Sequence, residues 1–283
     1  MKIELAESAG FCFGVKRAVD SVYSLAEKKK GPVCTLGSII HNEHVVNDLE
    51  GKGVFVVDSP EEALADGNTT VVIRSHGVAK SVVDFLEKKG ICFEDATCPF
   101  VKKIHETVSS YSERGYAVVI IGTESHPEVQ GTLGWTAGNG TVIETAEEAE
   151  AFFLENPDQK VCVVAQTTFN YKKFKDLVEI ISKKGYDILA VNTICNATIT
   201  RQSEAAKLAA RSDAMLVIGG MQSSNSHKLY EICKNQCENT FFIQTVDDLS
   251  SISLSSFTSL GITAGASTPN NIIQEVLEAC QKI

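Results

Sequence analysis

The sequence lacks any long apolar run, and it lacks an excess of basic side chains. No stretch of its 283 residues approaches the roughly 20 apolar residues that a membrane-spanning helix needs. The first four residues include an acid where a secretory signal peptide would be apolar. The net charge of −10 disfavours nucleic acid as a partner, because phosphate backbones bind basic surfaces. We therefore expect a soluble, cytoplasmic protein that binds neither a membrane nor nucleic acid.

Familiar ligand-binding motifs are also absent. The chain has neither a P-loop of the GxxxxGK type nor a GxGxxG loop, so motifs give no support to ordinary nucleotide binding. Its nine cysteines form no CxxC pairs of the kind that build zinc ribbons. With 43% apolar residues the chain can build a full hydrophobic core. In a reducing cytoplasm the cysteines are then expected to be buried thiols, metal ligands or nucleophiles.

Short β-branched runs alternate with helical patterns along the whole chain. The predicted strands include residues 54–57, 71–73, 117–121, 161–164 and 215–218. This alternation is typical of an α/β fold with mostly parallel strands.

The chain also repeats itself three times, with a period too long for a solenoid unit. In each repeat a cysteine precedes a helix, a second polar residue follows a strand that ends in glycine, and a third follows the last strand. The first and second positions are 29, 28 and 28 residues apart, and the first and third are 64, 69 and 72 apart. In chain order within each set, the nine positions are Cys12, Cys98 and Cys195, then His41, His126 and Ser223, then His76, Thr167 and Ser267.

We predict three pseudo-repeated small α/β domains, residues 1–97, 98–193 and 194–283, with mostly parallel sheets around a central cavity. Each of the nine positions follows a predicted strand, and ligands of parallel sheets bind at the carboxyl ends of the strands. Three such edges around a pseudo-threefold axis would face one site.

Three converging cysteines suit zinc or an iron–sulfur cluster, because soft sulfur ligands select these metals. A [4Fe–4S] cluster normally takes four cysteines, so three would leave one iron open to substrate. Three structural thiols at strand ends are the alternative that the cysteines alone leave open. Cys233 and Cys237, one helical turn apart, are a weaker candidate metal pair.

The remaining repeated positions carry histidines and hydroxyls beside predicted helix starts, which suits a small anion such as phosphate. The run from Ser223 to Ser226, which includes Ser224 and Asn225, is the clearest loop of this kind. Glu43, Glu124 and Glu128 all lie close to a histidine of the set, so proximity does not select a proton donor. Desolvation would raise the pKa of whichever carboxyl serves.

These residues resemble the 4-hydroxy-3-methylbut-2-enyl diphosphate reductase family, which performs the last step of the non-mevalonate isoprenoid pathway. The resemblance spans residues 10 to 267, and two small departures are Phe13 and the segment 123–125. Its motifs are Gly10-Phe11-Cys12-Phe13-Gly14-Val15, His41-Asn42, Ser75-His76-Gly77-Val78, Asp95-Ala96-Thr97-Cys98-Pro99, His126-Pro127-Glu128-Val129, Gln166-Thr167-Thr168, Ser223-Ser224-Asn225-Ser226 and Thr263-Ala264-Gly265-Ala266-Ser267.

The resemblance implies one [4Fe–4S] cluster per chain, held by Cys12, Cys98 and Cys195. It implies that Glu128 delivers protons and that Thr167 helps to hold the allylic hydroxyl. The implied substrate-binding residues are His41, His76, His126, Thr167, Ser223, Ser224, Asn225 and Ser267.

The implied reaction is the two-electron reductive dehydroxylation of (E)-4-hydroxy-3-methylbut-2-enyl diphosphate to isopentenyl and dimethylallyl diphosphates. It needs a low-potential electron donor of the ferredoxin or flavodoxin type. Two alternatives use the same cysteines: a non-redox [4Fe–4S] hydro-lyase, and an iron–sulfur sensor protein.

Overall fold

Three parallel four-stranded sheets with flanking helices make up the fold. The computed structural model describes residues 1–28, 31–63 and 69–283. The strands are β1 (Lys2–Leu5), β2 (Val33–Leu36), β3 (Val54–Val57), β4 (Thr70–Ile73), β5 (Phe93–Asp95), β6 (Ala117–Ile121), β7 (Gly140–Ile143), β8 (Val161–Ala165), β9 (Ile188–Ala190), β10 (Ala214–Ile218), β11 (Thr240–Ile243) and β12 (Ser259–Ala264). The helices are α1 (Phe13–Lys28), α2 (Glu43–Gly51), α3 (Lys80–Lys89), α4 (Pro99–Glu113), α5 (Pro127–Leu133), α6 (Ala146–Ala151), α7 (Tyr171–Ser182), α8 (Asn196–Ala209), α9 (Ser224–Lys234) and α10 (Asn270–Cys280), with a 3₁₀ helix over Val246–Ser251.

The three sheets have the same arrangement of strands when β1 is matched with β5 and β9. They run β5-β4-β2-β3, β9-β8-β6-β7 and β1-β12-β10-β11, and every pairing in them is parallel. The central strands β2, β4, β6, β8 and β10 are buried along their whole length, as β-branched runs covered on both faces require. The predicted α/β class with parallel sheets is therefore confirmed.

The N-terminal strand belongs to the sheet of the third repeat. The predicted first repeat spans residues 1–97, but β1 pairs with β12, and Ile3 lies opposite Leu260. The edge position that β5 and β9 occupy in the other two sheets is thus occupied by the start of the chain. Each cysteine of the repeat follows one of these edge strands. The division into 1–97, 98–193 and 194–283 stays a prediction.

Two compact units make up the chain. Unit 1 comprises Met1–Lys16, Ile40–Asp48 and Asn196–Ile283, and it contains the sheet β1-β12-β10-β11. Unit 2 comprises Arg17–Ile39 and Leu49–Cys195, and it contains the other two sheets.

Alternate residues of β10 face two different cores of unit 1. Leu216 and Ile218 pack in a cluster with residues of β12 and α10. Met215 and Val217 pack in a second cluster with residues of α8 and α9. This alternation follows from the two-residue period of a strand, and it explains why β10 is apolar throughout. Among the described helices, none is both long enough and apolar enough to cross a membrane.

We expect Leu216→Ala to lower the free energy of unfolding by about 2–5 kcal/mol, because a fully buried leucine leaves a cavity that the sheet cannot close. The matched control is Leu189→Ala on the edge strand β9, where 38% of the side chain is exposed. Its cost should stay near about 0.5 kcal/mol. Urea unfolding followed by circular dichroism measures both, and equal costs would contradict the assigned core.

Candidate functional site

All nine positions of the repeat lie between the end of a strand and the start of the next helix. Cys12, Cys98 and Cys195 each stand one residue before the first residue of a helix. The second and third positions of each repeat lie in the loops after β2, β6 and β10 and after β4, β8 and β12. Because the strands are parallel, each loop leaves its own sheet at the carboxyl edge. The expectation that all nine positions follow strand ends is confirmed.

The backbone of each cysteine is tied to the loop after the neighbouring strand. The N–H of Cys12 donates to Ala266 O at 3.2 Å, that of Cys98 to Ser75 O at 3.0 Å, and that of Cys195 to Thr167 O at 3.1 Å. The acceptor is in each case the third polar position of the repeat or the residue before it. The same backbone contact thus occurs three times, once in unit 1 and twice in unit 2.

The three thiols of the repeat differ from most other cysteines in exposure. Cys12, Cys98 and Cys195 are partly exposed, whereas Cys34, Cys162, Cys233, Cys237 and Cys280 are buried. Burial raises the pKa of Cys34 and Cys162 to about 11, so those thiols stay protonated. The positive end of a helix dipole lies beside each of the three repeat cysteines and favours negative charge there. Their donor atoms therefore fit a thiolate-bound metal group.

Cys233 and Cys237 are core residues. Both pack in the apolar cluster between β10, α8 and α9. The Cys233 thiol donates to Ala205 O, and the Cys237 thiol donates to Ser212 O at 3.4 Å. Burial, with a further contribution from Cys237, raises the pKa of Cys233 to about 12. The pair is therefore structural.

Glu128 and Thr167 form a buried acid–hydroxyl pair in unit 2. The carboxyl Oε1 of Glu128 accepts from the Thr167 N–H at 2.5 Å, and its Oε2 accepts from Thr167 Oγ1 at 2.6 Å. Thr167 also accepts from the Cys195 N–H through its carbonyl oxygen. One threonine therefore bonds both to the only acid of the three candidates that is buried and to the loop of a candidate metal ligand.

Desolvation sets the charge of Glu128. The side chain is 2% exposed, and burial raises its pKa from the ordinary value of 4.5 to about 7, against the two hydrogen bonds from Thr167. Folding thus favours the protonated carboxyl. The protonation of Glu128 therefore adds to the free energy of unfolding. This contribution is complete below about pH 4.5 and is lost as the pH rises through 7.

Two histidines of the repeated positions, His76 and His126, belong to unit 2, and His126 contacts this pair. His126 is the N-cap of α5, and its Nδ1 accepts from the Glu128 N–H at 3.1 Å, so a neutral His126 ring carries its proton on Nε2. The His76 and His126 rings meet edge to face with centroids 5.3 Å apart.

Gly77 allows the sharp turn after His76. Its φ is +72°, and a Cβ there would lie 2.6 Å from Cε1 of the buried His105 ring. His105 stacks on Trp135, whose Nε1 donates to Val78 O. The loop that carries His76 is therefore held by close packing of Gly77 against the His105 ring and by the Trp135 hydrogen bond.

Unit 1 brings Ser223 and Ser267 together and places the backbone of His41 beside them. Ser223 Oγ caps α9 by accepting from the Ser226 N–H at 3.3 Å. Ser267 Oγ lies 3.4 Å from Ser223 Oγ and donates to His41 O at 3.2 Å. These contacts join the second and third polar positions of the third repeat.

Asn225, the second residue of α9, carries a donor that no described residue uses. It is 5% exposed, and its buried Nδ2 has no hydrogen-bond partner among the described residues. A buried donor without a partner is costly, so a ligand that accepts from it is the natural complement. Ser224 opens α9 beside it and is half-buried.

Gln166 belongs to one of the motifs of the family resemblance, but the sequence predicts no role for it. It is buried, its Oε1 accepts from the Thr123 N–H at 3.1 Å, and its Nε2 donates to Thr168 Oγ1 at 3.0 Å. Gln166 therefore fixes the loop that presents Thr167. Its place beside Thr167 in the repeat was the available signal. The prediction that the sheet edges face one cavity stays a prediction.

Nearly the whole chain matches one known protein family. The family model described as LytB protein matches residues 3–281. Two curated relatives, from Caldanaerobacter subterraneus subsp. tengcongensis and Geobacter sulfurreducens, are each 45% identical to this chain. Each alignment covers 100% of this chain and 98% of the relative. Both relatives are named 4-hydroxy-3-methylbut-2-enyl diphosphate reductase.

Solved structures agree with this class. A structure of (E)-4-hydroxy-3-methyl-but-2-enyl diphosphate reductase, the terminal enzyme of the non-mevalonate pathway, is 43% identical with a TM-score of 0.72 and covers 100% of this chain and 99% of its own. The E-1-hydroxy-2-methyl-but-2-enyl-4-diphosphate reductase from Plasmodium falciparum is 27% identical with a TM-score of 0.93 and covers 98% and 87%. The chain is thus an oxidoreductase. It belongs to the LytB protein family, the reductases of the non-mevalonate pathway.

Thr167→Val should raise the pKa of Glu128 above its value of about 7, because it removes the hydroxyl hydrogen bond that favours the ionised carboxylate. Carboxyl-carbon NMR titration of protein labelled at glutamate measures this pKa. The signal is assigned by its loss in Glu128→Gln.

Thr141→Val on the exposed face of β7 is the matched control and should leave that pKa unchanged. A lower or unaltered Glu128 pKa in Thr167→Val would contradict the hydrogen-bond geometry.

Proposed function

We propose that this chain reduces (E)-4-hydroxy-3-methylbut-2-enyl diphosphate to isopentenyl and dimethylallyl diphosphates. Membership of the LytB family supports the substrate, since the relatives carry that name. The observation that carries the proposal is the contact of Thr167 with both Glu128 and the Cys195 loop. It links a buried proton donor to a candidate metal ligand through one residue.

The cysteines Cys12, Cys98 and Cys195 would hold a [4Fe–4S] cluster. Their partial exposure and their positions at helix starts fit thiolate ligands, and the buried cysteines do not offer this environment. Such a cluster supplies single electrons and, through an iron without a protein ligand, Lewis-acid polarisation of the C–O bond. A low-potential donor of the ferredoxin or flavodoxin type would supply the electrons.

The reaction consumes two electrons and two protons. The allylic C–O bond breaks, the hydroxyl leaves as water with one proton, and the second proton forms a C–H bond. Glu128 has a pKa of about 7, so near neutral pH it is protonated in a large fraction of molecules. When Oε2 of Glu128 carries the proton, the hydrogen bond over the same 2.6 Å reverses, so that the carboxyl donates to Thr167 Oγ1; as that proton moves to Oγ1, the proton already on the Thr167 hydroxyl would pass to the substrate hydroxyl.

Polar side chains at the repeated positions would bind the diphosphate. In unit 1 these are Ser223, Ser224, Asn225 and Ser267, with the N-terminus of α9 contributing its dipole. The buried Asn225 Nδ2 supplies a donor that no described residue uses. His41 joins this set, and His76 and His126 contribute imidazole donors from unit 2.

The decisive experiment is an anaerobic assay of the reconstituted protein. After iron and sulfide are quantified, oxidation of reduced methyl viologen is followed on addition of (E)-4-hydroxy-3-methylbut-2-enyl diphosphate. Substrate-dependent oxidation with both isopentenyl products is the expected result. Loss of substrate without electron uptake would support a hydro-lyase. An intact cluster with no effect on the substrate would reject the proposal.

Cys12→Ser should lose cluster iron and activity together, because a serine hydroxyl is a poor substitute for a thiolate ligand. Cys92→Ser is the matched control, since Cys92 is exposed and lies outside the repeated positions. The control should keep the iron content and turnover of the wild type. Full iron content in Cys12→Ser would remove Cys12 from the ligand set.

Glu128→Gln should keep the cluster and bind substrate, but its turnover should fall by about 10²–10⁴-fold, because glutamine cannot give up a proton. Asp158→Asn, at an exposed acid far from α5 in the sequence, is the control for loss of one negative charge. Turnover of Glu128→Gln within twofold of the wild type would assign Glu128 a purely structural role.

A further inference from the structure

Side chains of a single helix, α8, form hydrogen bonds with both N–H and C=O groups of the backbone before Cys12. Glu204 of α8 accepts from the N–H of Glu7 at 2.6 Å and from the N–H of Ser8 at 3.0 Å, and it also accepts from the Ser8 hydroxyl. Arg201, one turn earlier on α8, donates through Nε to Ser8 O at 2.9 Å and through Nη2 to Gly10 O at 2.8 Å. All of these residues belong to unit 1.

Charge strengthens this arrangement. Arg201 is only 3% exposed, and a guanidinium buried in this way needs several acceptors. Burial raises the pKa of Glu204, but the hydrogen bonds from Ser8 and Glu7 and the charge of Arg201 outweigh it. The pKa therefore lies below its ordinary value, and the carboxylate stays ionised at neutral pH.

Gly10, whose carbonyl Arg201 contacts, has a left-handed backbone conformation. Its φ is +98°, and a Cβ there would lie 3.0 Å from Cδ1 of Ile273. The carbonyl of Gly10, two residues before Cys12, is one of the two that Arg201 binds. The turn is thus fixed by packing on one side and by a charged donor on the other.

Unit 2 shows a similar arrangement before a second cysteine. Arg17 of α1 donates through Nη2 to Ala96 O at 3.0 Å and to Thr97 O at 2.5 Å, immediately before Cys98. An arginine therefore binds the carbonyls that precede a cysteine in both units. The recurrence indicates a role connected with the cysteines rather than an accident of one loop.

We propose that Arg201 and Glu204 are positioning residues that hold the segment from Glu7 to Gly10 so that Cys12 is preorganised as a metal ligand. This inference rests on the proposed cluster. Groups that orient a ligand from behind it typically alter metal affinity or activity by about 10–100-fold. Here they act on the backbone of the ligand loop and not on the sulfur.

The test is the rate at which the reconstituted holoprotein releases iron to an excess of bathophenanthroline under anaerobic, reducing conditions. Arg201→Met keeps the length of the side chain and removes every donor, and it should release iron about tenfold faster than the wild type. Arg201→Lys keeps the charge but cannot contact both carbonyls with a fork of donors, so its rate should lie between the two. Arg211→Met is the control, because Arg211 forms an exposed ion pair with Glu4.

The midpoint of thermal unfolding is also measured for each metal-free variant. It shows whether faster iron release comes from lost positioning of Cys12 or from a fold that is less stable as a whole. We expect Arg211→Met and the wild type to release iron equally fast. If folded Arg201→Met also releases iron at the wild-type rate, the proposed positioning role is wrong, while the proposed function stands. A wild-type chain that binds no iron after reconstitution would overturn both.

Glu204→Gln is the second variant if Arg201→Met does not fold. It preserves shape but places an amide donor against groups that donate, and it should accelerate iron release in the same direction. Release at the wild-type rate from folded Glu204→Gln would also overturn the inference.

Discussion

The backbone bond between each repeated cysteine and the loop after the neighbouring strand is the contact on which the candidate site depends. It forms because an edge strand, β1, β5 or β9, runs parallel to the strand beside it, so both chains leave the sheet at the same edge. The cysteine then starts a helix, and its N–H is directed at the adjacent loop. Three local structures of this kind tie the backbone of a cysteine to the loop that carries the third polar position.

A second constraint is the burial of polar groups at these edges. Glu128 is almost fully buried, and its two oxygens are both bonded to Thr167. These bonds favour the carboxylate, whereas desolvation favours the acid, and desolvation prevails, which places the pKa at about 7. The balance between the two effects gives a carboxyl that can both hold and release a proton near neutral pH.

Charged side chains bind the backbone of the cysteine loops instead of pairing on the surface. Arg201, Glu204 and Arg17 all contact main-chain groups within a few residues of a cysteine. Loops of this kind cannot use sheet hydrogen bonds, so their N–H and C=O groups need other partners. Meeting that need with long side chains from a helix also fixes the path of the loop.

The fold class and the nine repeated positions can be predicted from the amino-acid sequence alone. Strand and helix periods are local, and the order Cys12, His41, His76 recurs at similar intervals in the other repeats, so both could be predicted without coordinates. Conversely, the pairing of β1 with β12 joins the two ends of the chain, and no local pattern specifies such a partner. For that reason the predicted first repeat includes β1, which belongs to the third sheet.

The burial and the hydrogen-bond partners of the polar side chains depend on the tertiary structure. Glu43, Glu124 and Glu128 are equivalent by proximity to a histidine, and the sequence favours Glu128 only through the family resemblance, whereas its burial and its contact with Thr167 are seen only in the folded chain. Arg201 and Glu204 lie almost two hundred residues from Ser8, so their hydrogen bonds to it are invisible in the sequence. Desolvation and long-range hydrogen bonds depend on which segments meet, and that is settled only when the chain has folded.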